Sequence, residues 1–109
     1  MCIHHVCVRV IKECFVREAA EIYPKAARFL AAWMITVRAA RWRHLSELRR
    51  VYPGTDQVPV SSGRTVLVFN VCGNTYRLIV AIHFDRQLVY TLRFLTHAEY
   101  SKDRWKDEL

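Results

Sequence analysis

Hydrophobic and polar positions alternate in three short runs within residues 64–100, which predicts three consecutive β-strands. Gly73-Asn74 separates the first two runs, and Asp85–Gln87 separates the last two, so we expect tight turns at both places. The predicted strands are Thr65–Val71, Tyr76–Phe84 and Leu88–Leu95.

The pattern differs in the first half of the chain, where apolar residues recur at helical spacing. The predicted elements are a strand at Val6–Ile11, a helix at Lys12–Tyr23, a second from Pro24 to about Ala40, and a third from Ser46, its N-cap, to about Val51. Thr55–Gly63 is predicted to be a loop, and Glu99–Leu109 a charged, solvated tail. Helices followed by an antiparallel meander indicate an α+β fold, with helices on one sheet face and a concave, open second face.

Length and charge narrow the class of protein. The chain has 109 residues, 52% of them hydrophobic, which predicts a single globular domain over 1–109. Its net charge of +7 favours an anionic partner, nucleic acid before a membrane surface. Because no apolar run approaches the ~18 residues that span a bilayer and the start does not resemble a signal peptide, we expect a cytoplasmic protein. The final Lys-Asp-Glu-Leu is then a coincidental match to an ER-retention signal.

The N-terminus carries a group of potential metal ligands, Cys2, His4, His5 and Cys7. Their spacing is not that of a zinc site, and on a strand Cys2 and His4 face away from His5 and Cys7. We therefore expect no metal and no cofactor, and cysteines that stay reduced.

Cationic and titratable side chains gather around the predicted strand ends, namely Arg77, Arg93, His97, Tyr100 and Lys102. RNA cleavage by the ribose 2′-OH needs a base, cations for the charge developing on phosphorus, and an acid for the 5′-oxygen. Guanidinium pairs with phosphate, imidazole transfers protons near neutral pH, and phenol donates a proton or stacks on a base. Three of these residues also have a structural interpretation. Arg77 would form a salt bridge on a strand, His97 would make a hydrogen bond at a strand end, and Tyr100 would lie at an edge of the core.

Several short motifs of the sequence resemble those of the HigB family of toxins, within the RelE/ParE-like superfamily of bacterial toxin–antitoxin systems. They are GNTYRL at 73–78, THAEY at 96–100 followed by Lys102, and the Tyr-Pro steps at 23–24 and 52–53. The resemblance covers roughly residues 8–102, so residues 1–7 are an extension of the expected RelE-like domain and 101–109 its charged tail.

The resemblance implies a ribosome-dependent mRNA endonuclease that cuts messenger in the ribosomal A site. It also implies a HigA-type antitoxin, which is a helix-turn-helix protein. The toxin would bind operator DNA only through this antitoxin. A second basic group is expected to hold the RNA backbone, or else to be a solvated face or an antitoxin surface. These residues are Arg38, Arg41, Arg43, Arg49, Arg50 and Arg64. The alternatives are a ParE-like gyrase inhibitor and an RNA-binding module without catalysis.

Overall fold

The computed structural model describes residues 9–73 and 75–109. The Cys2–Cys7 group, most of the predicted first strand and Asn74 lie outside the described residues. The helices are α1 (Glu13–Ile22), α2 (Ala27–Ala39, preceded by a 3₁₀ turn at Pro24–Ala26), α3 (Leu45–Val51), α4 (His97–Ser101) and α5 (Arg104–Glu108). The strands are β1 (Arg9–Ile11), β2 (Asp56–Pro59), β3 (Thr65–Val71), β4 (Tyr76–His83) and β5 (Leu88–Thr96).

The five strands form one sheet in the order β1-β5-β4-β3-β2. β3, β4 and β5 are the predicted antiparallel meander, and β1 joins it by pairing parallel to β5. The α+β fold is therefore confirmed, with a mixed sheet in place of a purely antiparallel one. Among the described residues, no helix is long and apolar enough to cross a membrane.

Two local predictions in the first half are wrong. The segment predicted to be a loop contains β2, because Asp56–Pro59 pairs antiparallel with β3 at the sheet edge, where a proline is tolerated. The N-cap of α3 is His44 rather than Ser46, whose hydroxyl instead lies 2.6 Å from the His44 Nδ1. Both errors arise where short polar segments take their conformation from neighbouring elements.

One face of the sheet packs against α1, α2 and α3 and holds the larger hydrophobic core. Trp33 is 1% exposed and meets the Phe69 ring edge-on, at 5.7 Å between centroids. Ile22 and Ile35 are among the apolar residues whose helical spacing predicts a buried face of the first two helices, yet they are 68% and 72% exposed. The buried stripe of α2 runs instead through Leu30, Trp33 and Val37.

The second face is not the open concave surface that the sequence predicts. Val66, Val68 and Ile79 point to this face and are covered by Trp105, which is 3% exposed. The segment 101–109 is therefore packed on the sheet and is not a solvated tail, because one aromatic side chain among its charges supplies the apolar contact.

Candidate catalytic site

Strand register places Arg77 and Arg93 on the second face of the sheet. Arg77 pairs with Leu95, and Arg93 pairs with Ile79, so the two arginines are diagonal neighbours across β4 and β5. Asn70 of β3 pairs with Arg77 from the other side. Arg77 and Arg93 therefore share one face of the sheet.

Arg77 is a buried charge, only 8% exposed. Its Nη1 donates a hydrogen bond to the carbonyl of Tyr76 at 3.0 Å, and its Cζ lies 5.3 Å from the centroid of the Tyr100 ring. A guanidinium over an aromatic face is a favourable cation–π geometry. The contact holds the guanidinium and the phenol ring together near the start of β4.

The environment of Tyr100 raises the pKa of its phenol above the ordinary value of 10.0. Burial is the largest cause, and the negative charge of Asp56 adds to it, whereas Arg77 and Lys106 act in the opposite direction. A phenol is already protonated at neutral pH, and this environment favours its neutral, hydrogen-bond-donating form further.

His97 is the first residue of α4 and is exposed. Thr96 ends β5 and caps the helix with a capping box, since its Oγ1 accepts from the Glu99 N–H at 3.2 Å and Glu99 Oε1 accepts from the Thr96 N–H at 3.0 Å. The His97 N–H donates to the Thr75 carbonyl at 3.0 Å. These bonds tie the start of α4 to the same end of the sheet as Arg77.

The two remaining candidates lie beside α5. Arg93 Nε is 3.4 Å from Glu108 Oε1, and its Nη1 donates to the Leu92 carbonyl at 2.7 Å. Lys102 is exposed, forms the C-cap of α4 and lines a recess of about 460 Å³ together with Ser61 and residues of α5. In the strand register Arg93 is a diagonal neighbour of Arg77, and Lys102 follows Tyr100 by two residues.

Most of the predicted RNA-binding arginines lie away from this site. Arg41 and Arg43 flank Trp42, whose carbonyl accepts from the Gln87 side-chain amide at 2.6 Å in the turn between β4 and β5. That turn is at the far end of both strands from Arg77, about 20 Å along the strand direction.

The other predicted RNA-binding arginines differ in their contacts and exposure. Arg38 pairs with Glu13 at 2.6 Å, and Arg49 Nε donates to the Thr55 carbonyl at 3.1 Å. Arg50 is exposed on α3, and Arg64 is exposed beside His83, also at the far end of the sheet. The Arg43 N–H donates to Glu47 at 2.6 Å and lowers the pKa of that carboxyl, so this group also carries negative charge.

The structure adds three residues to the site that sequence reasoning missed: Asn70, Asp56 and Trp105. Asn70 lies opposite Arg77, and Asp56 is close enough to perturb Tyr100. Trp105 stacks on Tyr100, with 5.3 Å between ring centroids and 18° between ring planes. A single tryptophan among the charged residues of 101–109 was a sequence signal that could have pointed to Trp105. No such signal pointed to Asp56, because its segment was predicted to be a loop.

Within residues 9–73 and 75–109, no group of three or more His, Cys, Asp or Glu side chains is arranged to hold a metal ion. The site combines a fixed cation, a protonated phenol and an exposed imidazole at one end of the sheet. Such a set fits acid–base chemistry at a phosphodiester.

Comparison with known proteins identifies a family for this chain. The sequence model of the HigB toxin family, described as the RelE-like toxic component of a toxin–antitoxin system, matches residues 26–103. The mRNA interferase toxin HigB of Escherichia coli (strain K12) is 29% identical over 93 residues, which are 85% of this chain and 88% of the relative. The mRNA interferases HigB of Escherichia coli O157:H7 and Shigella flexneri match with the same identity and coverage.

The chain belongs to the HigB toxin family, since the match extends over well more than half of its length. It is thus the toxic component of a toxin–antitoxin pair, and its partner is an antitoxin. The matched residues include Arg77, His97, Tyr100 and Lys102, and they end just before α5.

Proposed function

We propose that this chain is a cytoplasmic mRNA interferase, a ribosome-dependent endoribonuclease that inhibits translation and is neutralised by a HigA-type antitoxin. Its similarity to relatives named mRNA interferases supports the reaction class. The observation that carries the proposal is the convergence of Arg77, Tyr100 and His97 at one end of β4 and β5. Residues 1–109 form one toxin domain in this proposal.

In the proposed reaction, the ribose 2′-oxygen attacks the adjacent phosphorus and the bond to the 5′-oxygen breaks. The products are a 2′,3′-cyclic phosphate and a 5′-hydroxyl. His97 takes the proton from the 2′-OH, and we assign this to Nε2 because Nδ1 lies 3.4 Å from Ser101 Oγ. No metal or cofactor takes part.

Arg77 stabilises the negative charge that develops on the phosphorane oxygens. A cation that is already held in place needs no reorganisation during the reaction, and removing one such group typically costs about 10²–10³-fold in rate. Tyr100 donates a proton or a hydrogen bond to the leaving 5′-oxygen, because a phenol carries its proton at neutral pH. Arg93 and Lys102 bind the neighbouring phosphates.

The far end of the molecule supplies the ribosome contact in this proposal. Arg41, Arg43 and Arg64 are exposed there, about 20 Å from Arg77 along the strands. Arginines at such a distance from a cleavage site suit the backbone of ribosomal RNA better than the scissile phosphate. Arg38 and Arg50 are further exposed arginines on α2 and α3 that bind the RNA backbone in this proposal. Arg49 binds it nearer the cleavage site, because its Nε donates to the Thr55 carbonyl and the neighbouring Gly54 carbonyl lies 3.5 Å from Nδ2 of Asn70, which pairs with Arg77.

The test compares two exposed histidines. His97→Ala removes the proposed base, whereas His83→Ala removes an exposed histidine at the far end of the same strand pair. With purified protein and saturating translating ribosomes, where differences in ribosome affinity no longer matter, we expect His97→Ala to lower the cleavage rate constant at least ~100-fold and His83→Ala to change it less than about twofold. Messenger 5′ ends mapped after induction in bacteria should lie inside translated frames only for active variants.

A second pair of variants tests the cation. Arg77→Lys keeps the charge but loses the bidentate geometry, and Arg86→Lys makes the same change in the exposed turn after β4. Growth arrest with intact messengers would show that the toxin is not a nuclease and acts on another target, such as gyrase. Undiminished cleavage by His97→Ala would show that the base is a different group, and RNA binding without cleavage by the wild type would indicate a binding module.

A further inference from the structure

Trp105 is the one large apolar side chain of α5, and it anchors this short helix on the second face of the sheet. It is 3% exposed and packs in a cluster with Val66, Val68 and Ile79. The position follows residues 26–103, so it lies beyond the part of the chain that matches the toxin family.

Polar bonds hold α5 in the same place. The Ser61 N–H donates to the Lys106 carbonyl at 3.0 Å, and its hydroxyl donates to Asp107 Oδ1 at 2.7 Å. Glu108 approaches Arg93 at 3.4 Å. β5, through Arg93, and the loop before β3, through Ser61, therefore fix the helix that carries Trp105.

Trp105 contacts Tyr100 through both its ring and its Nε1–H. The ring planes are 18° from parallel with centroids 5.3 Å apart, and the Nε1–H donates to the Tyr100 carbonyl at 3.0 Å. Tyr100 in turn has the Arg77 guanidinium carbon 5.3 Å from its ring centroid. Three side chains from β4, α4 and α5 thus form a continuous stack.

We propose that Trp105 is a positioning residue for RNA cleavage, which sets the ring of Tyr100 and, through it, the guanidinium of Arg77. The proposal rests on the function proposed above. α4 has only five residues, so its own hydrogen bonds restrain Tyr100 weakly, and the flat indole face restricts the phenol ring where the helix does not. Displacement of a reacting group by about 1 Å costs up to about 10²-fold in rate.

The experiment measures single-turnover cleavage on translating ribosomes with Trp105→Leu, Trp105→Phe and Trp33→Leu. Trp33→Leu is the matched control, because Trp33 is equally buried on the opposite face and touches no site residue named above. We expect Trp105→Leu to lower the rate constant at saturation about tenfold with the half-saturating concentration unchanged. Trp105→Phe should lose only about threefold, since it keeps the stack but loses the Nε1–H bond.

A double-mutant cycle distinguishes positioning from simple stabilisation. In the background of Tyr100→Leu there is no ring for Trp105 to orient, so Trp105→Leu should then cost less than about twofold. A full tenfold loss in that background, or an equal loss of rate for Trp33→Leu, would overturn the proposal. If a urea titration shows that Trp105→Leu is not folded, Trp105→Phe takes its place in the cycle. Trp105→Phe should then lower the cleavage rate about threefold in the wild-type background and not at all in the Tyr100→Leu background.

A failure of the proposed function can be told apart from a failure of the role proposed for Trp105. A wild-type protein that arrests growth but cuts no messenger refutes the nuclease assignment, and the same cycle read as growth arrest then still tests whether Trp105 acts through Tyr100. Additive effects of the two substitutions on growth arrest would refute the positioning role whatever the target is.

Discussion

Replacing Thr96 by alanine should destabilise the protein at the junction between β5 and α4. Thr96 Oγ1 accepts from the Glu99 N–H at 3.2 Å, and its own N–H donates to Glu99 Oε1 at 3.0 Å. Alanine removes the hydroxyl that closes the capping box, so the Glu99 N–H loses its protein acceptor and α4 loses its N-cap. His97 is the next residue, which links this cap to the proposed site.

The size of the effect follows from the exposure of the cap. Loss of a threonine N-cap costs roughly 0.5–2 kcal/mol, and Thr96 is only partly buried, so we expect about 1 kcal/mol of unfolding free energy. For a chain of 109 residues this lowers Tm by about 4 °C and the urea midpoint by about 0.5–1 M. Thr96→Ser, which keeps the hydroxyl, is the control and should stay within about 0.3 kcal/mol of the wild type.

Urea unfolding followed by circular dichroism measures these differences, and the cleavage rate of the same samples shows whether a frayed α4 displaces His97. Equal midpoints for the wild type and Thr96→Ala would refute the role assigned to the capping box. A Thr96→Ser variant as unstable as Thr96→Ala would show that the methyl group, and not the hydroxyl, is what matters at this position.

Three further predictions follow from the same structure. Leu78→Ala empties a fully buried site between sheet and helices and should cost about 2–5 kcal/mol in urea unfolding, and a loss below 1 kcal/mol would contradict the packing described. Burial raises the pKa of both Tyr52 and Tyr100 above 10.0, so the stability these phenols contribute is fully present below pH 10 and is lost as the pH rises through their folded-state pKa. Tm should therefore fall as the pH rises above 10, and a rise of Tm there would show that the sign is wrong. Arg41→Ala and Arg43→Ala should each reduce by about 1 the slope of log affinity for ribosomes against log salt concentration, whereas an unchanged slope would exclude phosphate contacts there.

The meander was predictable because its signal is local. Each strand shows alternating apolar positions between turn residues, and the three predicted segments match β3, β4 and β5 to within a residue at either end. β2 was missed since Asp56–Pro59 has little hydrophobic pattern and becomes a strand by pairing with β3. The exposure of Ile35 was missed for a related reason, because the apolar face of α2 is wider than the area that the sheet covers.

The site was partly predictable for a chemical reason. Arg77, His97 and Tyr100 were identified from their residue types near strand ends, but their mutual arrangement depends on which residues pair across β4 and β5. A shift of one residue in that register would move Arg77 to the helix-covered face. No local pattern gives the contact between Arg77 and the ring of Tyr100, since α4 must first turn back over the sheet.

The sequence by itself determined the α+β class, the basic character of the chain, its resemblance to HigB toxins and the residue types available for RNA cleavage, because these depend on composition, local periodicity and short words. Only the tertiary structure decided that α5 covers part of the second face and that Trp105 stacks on Tyr100. It also separated the basic surface around Trp42 from Arg77 by the length of a strand. These features arise from contacts between segments far apart in the chain, whose free energy depends on burial and pairing that no single segment contains.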